Sequence, residues 1–105
     1  MIKVEQLRTL CHDETIVFTQ HLSLKCEQRE IDYEAIKQTI LTGEIIEQYP
    51  ADYPYPSCLI YCLLESKKHL HTVVGLGDNR IWIVTAYYPD KREWESDYKT
   101  RKADI

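Results

Sequence analysis

Glycine is scarce in this chain, three in 105 residues. None stands in a phosphate-cradling spacing, which excludes nucleotide-binding folds of the glycine-loop kind. A basic surplus is missing as well: 13 Lys and Arg face 17 Asp and Glu, a net charge of −4. Broad nucleic-acid-binding surfaces carry the opposite balance, so an RNA contact has to come from a local patch, and the acidic balance suits a basic partner. No apolar run approaches the roughly 20 residues that span a bilayer. The opening MIKVEQLRTL has charged and polar side chains where a secretion signal needs an apolar stretch. The expectation is a cytoplasmic protein with no membrane contact.

A disulfide framework is also lacking. Cys11, Cys26, Cys58 and Cys62 show no such spacing and are expected to be reduced thiols in half-buried core positions. Cys58 and Cys62 would suit a metal on a helix. On a strand four residues span roughly 13 Å, whereas zinc–sulfur bonds are about 2.3 Å, so one ion cannot hold both. No metal and no cofactor is expected. There is no G-x-S-x-G elbow, which argues against a serine hydrolase.

What is present is a globular composition, 44% hydrophobic and 29% charged, at a length that suits one domain over 1–105. Val4, Leu7, Leu10 and Cys11 fall on one face of a short first helix, and Thr15 to Phe18 is a brief β-branched apolar piece. A second helix starts near Thr19, its cap. A third has Asp32 as cap, Glu34 in its first turn, Tyr33, Ile36 and Ile40 at helical spacing, and Gly43 as a left-handed stop. Strands follow at Glu44–Tyr49 and Ser57–Leu64, separated by an extended proline-rich loop, YPADYPYP. Leu70–Leu76 and Arg80–Tyr88 form a hairpin about Gly77-Asp78-Asn79. A last helix is expected from Asp90, paired with Glu93 in a capping box, with Trp94 and Tyr98 on one face, Asp97 beside Arg101, and a frayed tail after Arg101. The fold class is α+β: N-terminal helices, a four-stranded, mainly antiparallel sheet and a C-terminal helix.

Gly43-Glu44-Ile45-Ile46-Glu47-Gln48-Tyr49-Pro50, then Pro54 to Leu59, Leu70-His71-Thr72-Val73-Val74, and Thr85 to Asp90 with Trp94 behind them resemble a bacterial family of domains of unknown function. Its pattern is GEIIE-x-YP, P-x-PS-x-L, LH-x-VV and T-x-Y-x-PD-x₃-W, and the likeness runs from about His21 to Arg101. That family resembles, more distantly, the fold of RelE-type, barnase-like and colicin-like ribonucleases, with members paired to MqsA-type antitoxins. The resemblance implies a RelE-like toxin of a type II toxin–antitoxin pair. Its activity would be metal-independent endoribonuclease cleavage, with RNA and an antitoxin-like protein as partners. The family pattern H-x₃-R-x₃-R-G-I reads here as His21, Lys25, Arg29, Glu30 and Ile31. Lysine loses the bidentate fork that suits phosphate, and Glu30 adds a negative charge.

Such cleavage needs a base for the 2′-hydroxyl, an acid for the leaving 5′-oxygen and cations around phosphorus. His21, Lys25 and Arg29 lie four apart and project from one helix face. His71 sits in an apolar strand, sharing a face with His69, Val73 and Gly75. The catalytic candidates are therefore His21, His71 and Tyr87, and the substrate-binding candidates Lys25, Arg29, Ser57 and Thr85. The competing reading is plainer: a solvated helix face, a core histidine, strand-favouring Thr and Tyr, His69 and Lys67–Lys68 on turn surface, and Trp94 as a core anchor. A non-catalytic interaction module fits the acidic charge, with Tyr49, Tyr53 and Tyr55 as its contact surface.

Overall fold

The computed structural model describes residues 1–103. The chain forms α1 (Val4–Thr9), β1 (Ile16–Val17), α2 (Gln20–Gln28), α3 (Tyr33–Thr42), β2 (Glu44–Tyr49), β3 (Ser57–Leu63), β4 (His69–Gly77) and β5 (Arg80–Tyr87). The class is α+β. The strands make one five-stranded sheet in the order β1-β5-β4-β3-β2. All neighbours are antiparallel except β1, which runs parallel to β5. The sheet thus has one strand more than the four expected. β1 is two residues long, too short for alternation to register. The Ile81 N–H donating to the Thr15 carbonyl at 2.9 Å helps to hold it.

The helices begin where side-chain acceptors meet orphan N–H groups. Thr19 accepts from the Leu22 N–H at 3.0 Å, and Asp32 from the Ala35 N–H at 2.8 Å. α2 ends in a Schellman turn: the Ile31 N–H donates to the Cys26 carbonyl at 2.8 Å, with Glu30 left-handed at φ 58. The family pattern has glycine at that position. Gly43 corrects an expectation. Its φ of −82 is not left-handed. It is glycine because a Cβ there would sit 2.4 Å from the Thr39 carbonyl oxygen and 2.5 Å from that of Tyr61. The carbonyls at this helix end bond to Arg8, whose guanidinium donates to those of Ile40 at 3.3 Å and Gly43 at 3.0 Å.

All three helices pack on one face of the sheet. Leu7, Leu22, Cys26, Ile36 and Ile40 join Ile60, Leu70, Val74, Ile81 and Ile83 in a single buried cluster. Cys26, Cys58 and Cys62 are buried and Cys11 is half-buried. The β4–β5 hairpin closes through Asp78 and Asn79, at φ 55 and 54, the left-handed pair that a type I′ turn requires. The loop between β2 and β3 runs through turns and bends rather than extended chain, with a cis bond at Tyr53–Pro54.

Among the described residues the expected C-terminal helix is absent. Residues 90–103 make a small hairpin instead, closed by an antiparallel bridge between Trp94 and Arg101. Local side-chain bonds compete with helix here. The Asp90 carboxylate accepts from the Arg92 N–H and guanidinium, both at 2.8 Å. Asp97 accepts from the N–H groups of Lys99 at 2.9 Å and Thr100 at 3.0 Å, and Tyr98 is left-handed at φ 57. Asp97 is thus engaged by its own turn, and Arg101 pairs with Glu47 instead. Of the tail expected to fray, Lys102 donates its N–H to the Glu93 carbonyl at 2.9 Å, and residues 104–105 lie outside the described residues.

Candidate functional site

The face of the sheet away from the helices collects the polar and aromatic side chains. Register sets its rows: Tyr61, His71 and Tyr87 lie abreast on β3, β4 and β5, followed by Leu59, Val73 and Thr85, then Ser57, Gly75 and Trp82. Glu47 and Tyr49 join through a β-bulge. Ile45 pairs with Ile60 and Glu47 with Leu59, so Ile46 has no partner. Ile60 belongs to the helix-side core. Unbroken alternation from Ile45 would have turned Glu47 towards that core; the extra residue turns it, and Tyr49 with it, to the opposite face.

His71 is fully buried beneath the C-terminal hairpin. The Trp94 ring meets it edge-on at 4.5 Å and the Tyr87 ring at 5.3 Å. Its Nε2 lies 2.7 Å from the Tyr98 carbonyl oxygen and its Nδ1 3.3 Å from the Tyr87 hydroxyl. A carbonyl only accepts, so Nε2 carries the proton. Burial, the dominant cause, holds the imidazole below its ordinary pKa. The neutral ring therefore turns an unprotonated Nδ1 to Tyr87, which donates its O–H. Burial pushes the Tyr87 hydroxyl up, so that proton stays on oxygen.

A second pair lies on the same face. The Glu47 carboxylate accepts from Arg101, Nε to Oε2 at 2.8 Å and Nη2 to Oε1 at 3.1 Å, and from the Tyr49 hydroxyl. Those Arg101 bonds hold the Glu47 pKa below its ordinary value, against the desolvation that would raise it. Burial, and then the adjacent carboxylate, push the Tyr49 hydroxyl up to about 12. Arg101 stacks 4.7 Å over the Trp94 ring, and its charge acts on both the Tyr49 and Tyr87 hydroxyls. The site thus holds two protonated hydroxyls, each backed by an acceptor, with one guanidinium near both.

The sequence candidates divide. His71 and Tyr87 meet. Thr85 sits one row along, and Arg29 reaches it at 3.4 Å while donating to the Ala86 carbonyl at 2.7 Å, which satisfies part of the free edge of β5. Ser57 is buried and donates to Asp52. His21 is exposed and Lys25 half-buried on α2. Among the described residues no hydrogen bond, ion pair or ring contact joins either to His71 or Tyr87. His69 is more than turn surface: its Nδ1 lies 2.7 Å from the Tyr61 hydroxyl and its ring stacks 4.0 Å from that of Tyr98. Glu47 and Tyr49 were missed as chemistry although both stand in GEIIE-x-YP. Period-two reading cannot see a bulge.

Among the described residues no helix is long and apolar enough to cross a membrane. No curated protein and no solved structure matches the chain. A family profile described as a domain of unknown function, DUF4258, matches residues 18–88, from the approach to α2 through the end of β5. That span contains Glu47, Tyr49, His71 and Tyr87 and stops short of Trp94 and Arg101. The chain belongs to the DUF4258 family of domains of unknown function.

Proposed function

We propose that the protein is a metal-independent endoribonuclease of the toxin type, active on the sheet face around Tyr49, His71, Tyr87 and Arg101 and restrained by an antitoxin-like partner. One observation carries this reading: segments that resemble the toxin-allied pattern, GEIIE-x-YP, LH-x-VV and T-x-Y-x-PD, contribute their polar side chains to a single cluster. In that cluster Tyr87 is backed by His71 and Tyr49 by Glu47, beside Arg101.

The chemistry follows from those pairings. The 2′-hydroxyl gives its proton to Tyr87 Oη as Tyr87 passes its own to His71 Nδ1. The resulting imidazolium is supported by the Tyr98 carbonyl on Nε2 and by the negative charge of Glu47. The 2′-oxygen bonds to phosphorus and the 5′-oxygen leaves with the proton of Tyr49. Arg101 offsets charge on the phosphorane oxygens. The products are a 2′,3′-cyclic phosphate and a 5′-hydroxyl, and solvent exchange returns the protons. His21 and Lys25 take no part in the proton transfers.

A second reading is a non-catalytic interaction module. It is favoured by the complete burial of His71, both of whose ring nitrogens are engaged within the protein, and by the use of Arg29 at the β5 edge. Incubating purified protein with mRNA in EDTA separates the two. Cleavage to 2′,3′-cyclic ends supports the nuclease. Intact RNA, with no effect of induction on cell growth, rules it out and leaves the module.

A further inference from the structure

The same sheet face has a second feature beyond the proton-transfer groups. A cavity of about 130 Å³ opens at the other end of the strands, bounded by Asp52, Tyr53, Tyr55, Gly75, Trp82 and Val84. Its walls are fixed. Trp82 donates its indole N–H to the Gly77 carbonyl at 3.0 Å and meets the Tyr55 ring, tilted by 31°, at 5.4 Å between centroids. Tyr55 in turn lies against Gly77, where a Cβ would be 2.0 Å from its ring. The floor is open for a different reason. A Cβ on Gly75 would find its nearest neighbour at 3.6 Å, an ordinary contact, so packing does not demand glycine there and its absent side chain leaves the slot clear. Above it Tyr53 is 95% exposed and Val84 55% exposed, apolar surface set against an aromatic wall.

Two polar features select among flat ligands. Asp52, which lines the slot, takes the Ser57 hydroxyl on Oδ2, and among the described residues its Oδ1 makes no hydrogen bond, which leaves it available as an acceptor. Arg80 stands two residues before Trp82 and opposite Gly77, which puts it on the same strand face. Among the described residues it makes no ion pair. An aromatic slot with one acceptor and a nearby free cation matches a base with an attached phosphate: stacking tolerates any base, and a carboxylate accepts from amino groups.

We propose that this slot binds a nucleobase bearing an exocyclic amino group, in the RNA strand being cleaved. The proposal rests on the ribonuclease reading above. Gly75 lies four residues from His71 along β4, about 13 Å, which places the slot one or two nucleotides from the scissile bond. The base stacks on Trp82 and Tyr53, its amino group donates to Asp52, and Arg80 meets a phosphate. Uracil, without an amino group, is disfavoured.

The test is a titration of non-cleavable 2′-O-methyl tetranucleotides, followed through the separate indole N–H resonances of Trp82 and Trp94. Amino-bearing tetramers are expected to shift Trp82 and to bind about tenfold more tightly than all-uridine tetramers. Tyr53→Ala, at a fully solvated side chain, should weaken binding about tenfold. Asp52→Asn, which keeps an acceptor for Ser57, should erase the base preference. A Trp82 response with these preferences, but no cleavage of ordinary RNA, upholds the slot while the nuclease reading fails. Cleavage with a silent Trp82, or with a response indifferent to the base, overturns the slot and leaves the nuclease standing. A free mononucleotide binding as tightly as the tetramer overturns the assignment to RNA. A protein partner covering Tyr53 and Trp82 when no tetramer binds overturns it in favour of a protein interface.

Discussion

Glu30 and His71 show how single side chains are constrained here. Glu30 occupies a left-handed backbone position that the family pattern fills with glycine, and its side chain supplies no bond among the described residues to offset that strain. Glu30→Gly is expected to stabilise the fold by about 1 kcal/mol, read as a rise of about 4 °C in the thermal midpoint; an unchanged or lower midpoint would refute it. His71 is held neutral by burial, below its ordinary pKa of 6.5. The unfolded chain therefore takes up a proton that the folded chain resists. The stability this gives is complete above about pH 6.5 and is lost as pH falls towards the folded pKa. Glu47, held below 4.5 by Arg101, adds a second loss that begins only below that value. Thermal melts should show a decline that starts near pH 6.5 and resumes below about pH 4.5. A midpoint flat from about pH 7.5 to pH 5 would contradict the assignment of His71 as a neutral buried ring.

At the scale of elements, two irregularities build the site. The bulge at Ile46 turns Glu47 and Tyr49 to the polar face. Deleting Ile46 sets Glu47 directly after Ile45, so a regular ladder keeps the Glu47 carboxylate opposite Leu59 on the polar face, beside Arg101. The Glu47 carboxylate stays paired, so the deletion should keep a cooperative melt, as should Ile46→Ala. A deletion variant that loses the cooperative melt would contradict this register. The second irregularity is the hairpin of residues 90–103. Helical spacing of Trp94 and Tyr98 and the i,i+4 placing of Asp97 and Arg101 both read as helix in the sequence. The Asx turns at Asp90 and Asp97 outweigh that periodicity. The hairpin still brings Trp94 and Tyr98 to His71, by a route that the helical pattern does not describe.

For the whole molecule, the three N-terminal helices and the β4–β5 hairpin could be read in the sequence, because each rests on local spacing or on alternation within a strand. The parallel β1 strand, the Glu47–Arg101 pair and the isolation of His21 and Lys25 could not. They depend on a two-residue pairing, a bulge and a non-helical tail, all decided by contacts between distant segments. The net charge of −4 acts at this scale too. It leaves little long-range attraction for RNA, so in the proposed reaction Arg101 and the proton pairs must act at short range.

That claim is tested most directly by the single-turnover rate of RNA cleavage in EDTA by Tyr87→Phe relative to the unsubstituted protein. Removing one hydroxyl leaves the ring and its packing on His71 in place. Cleavage by the parent is expected, with a loss of about a hundredfold or more in the variant and a cooperative melt lowered only by the lost hydrogen bond to His71. Equal rates, or no cleavage by the parent, would contradict it.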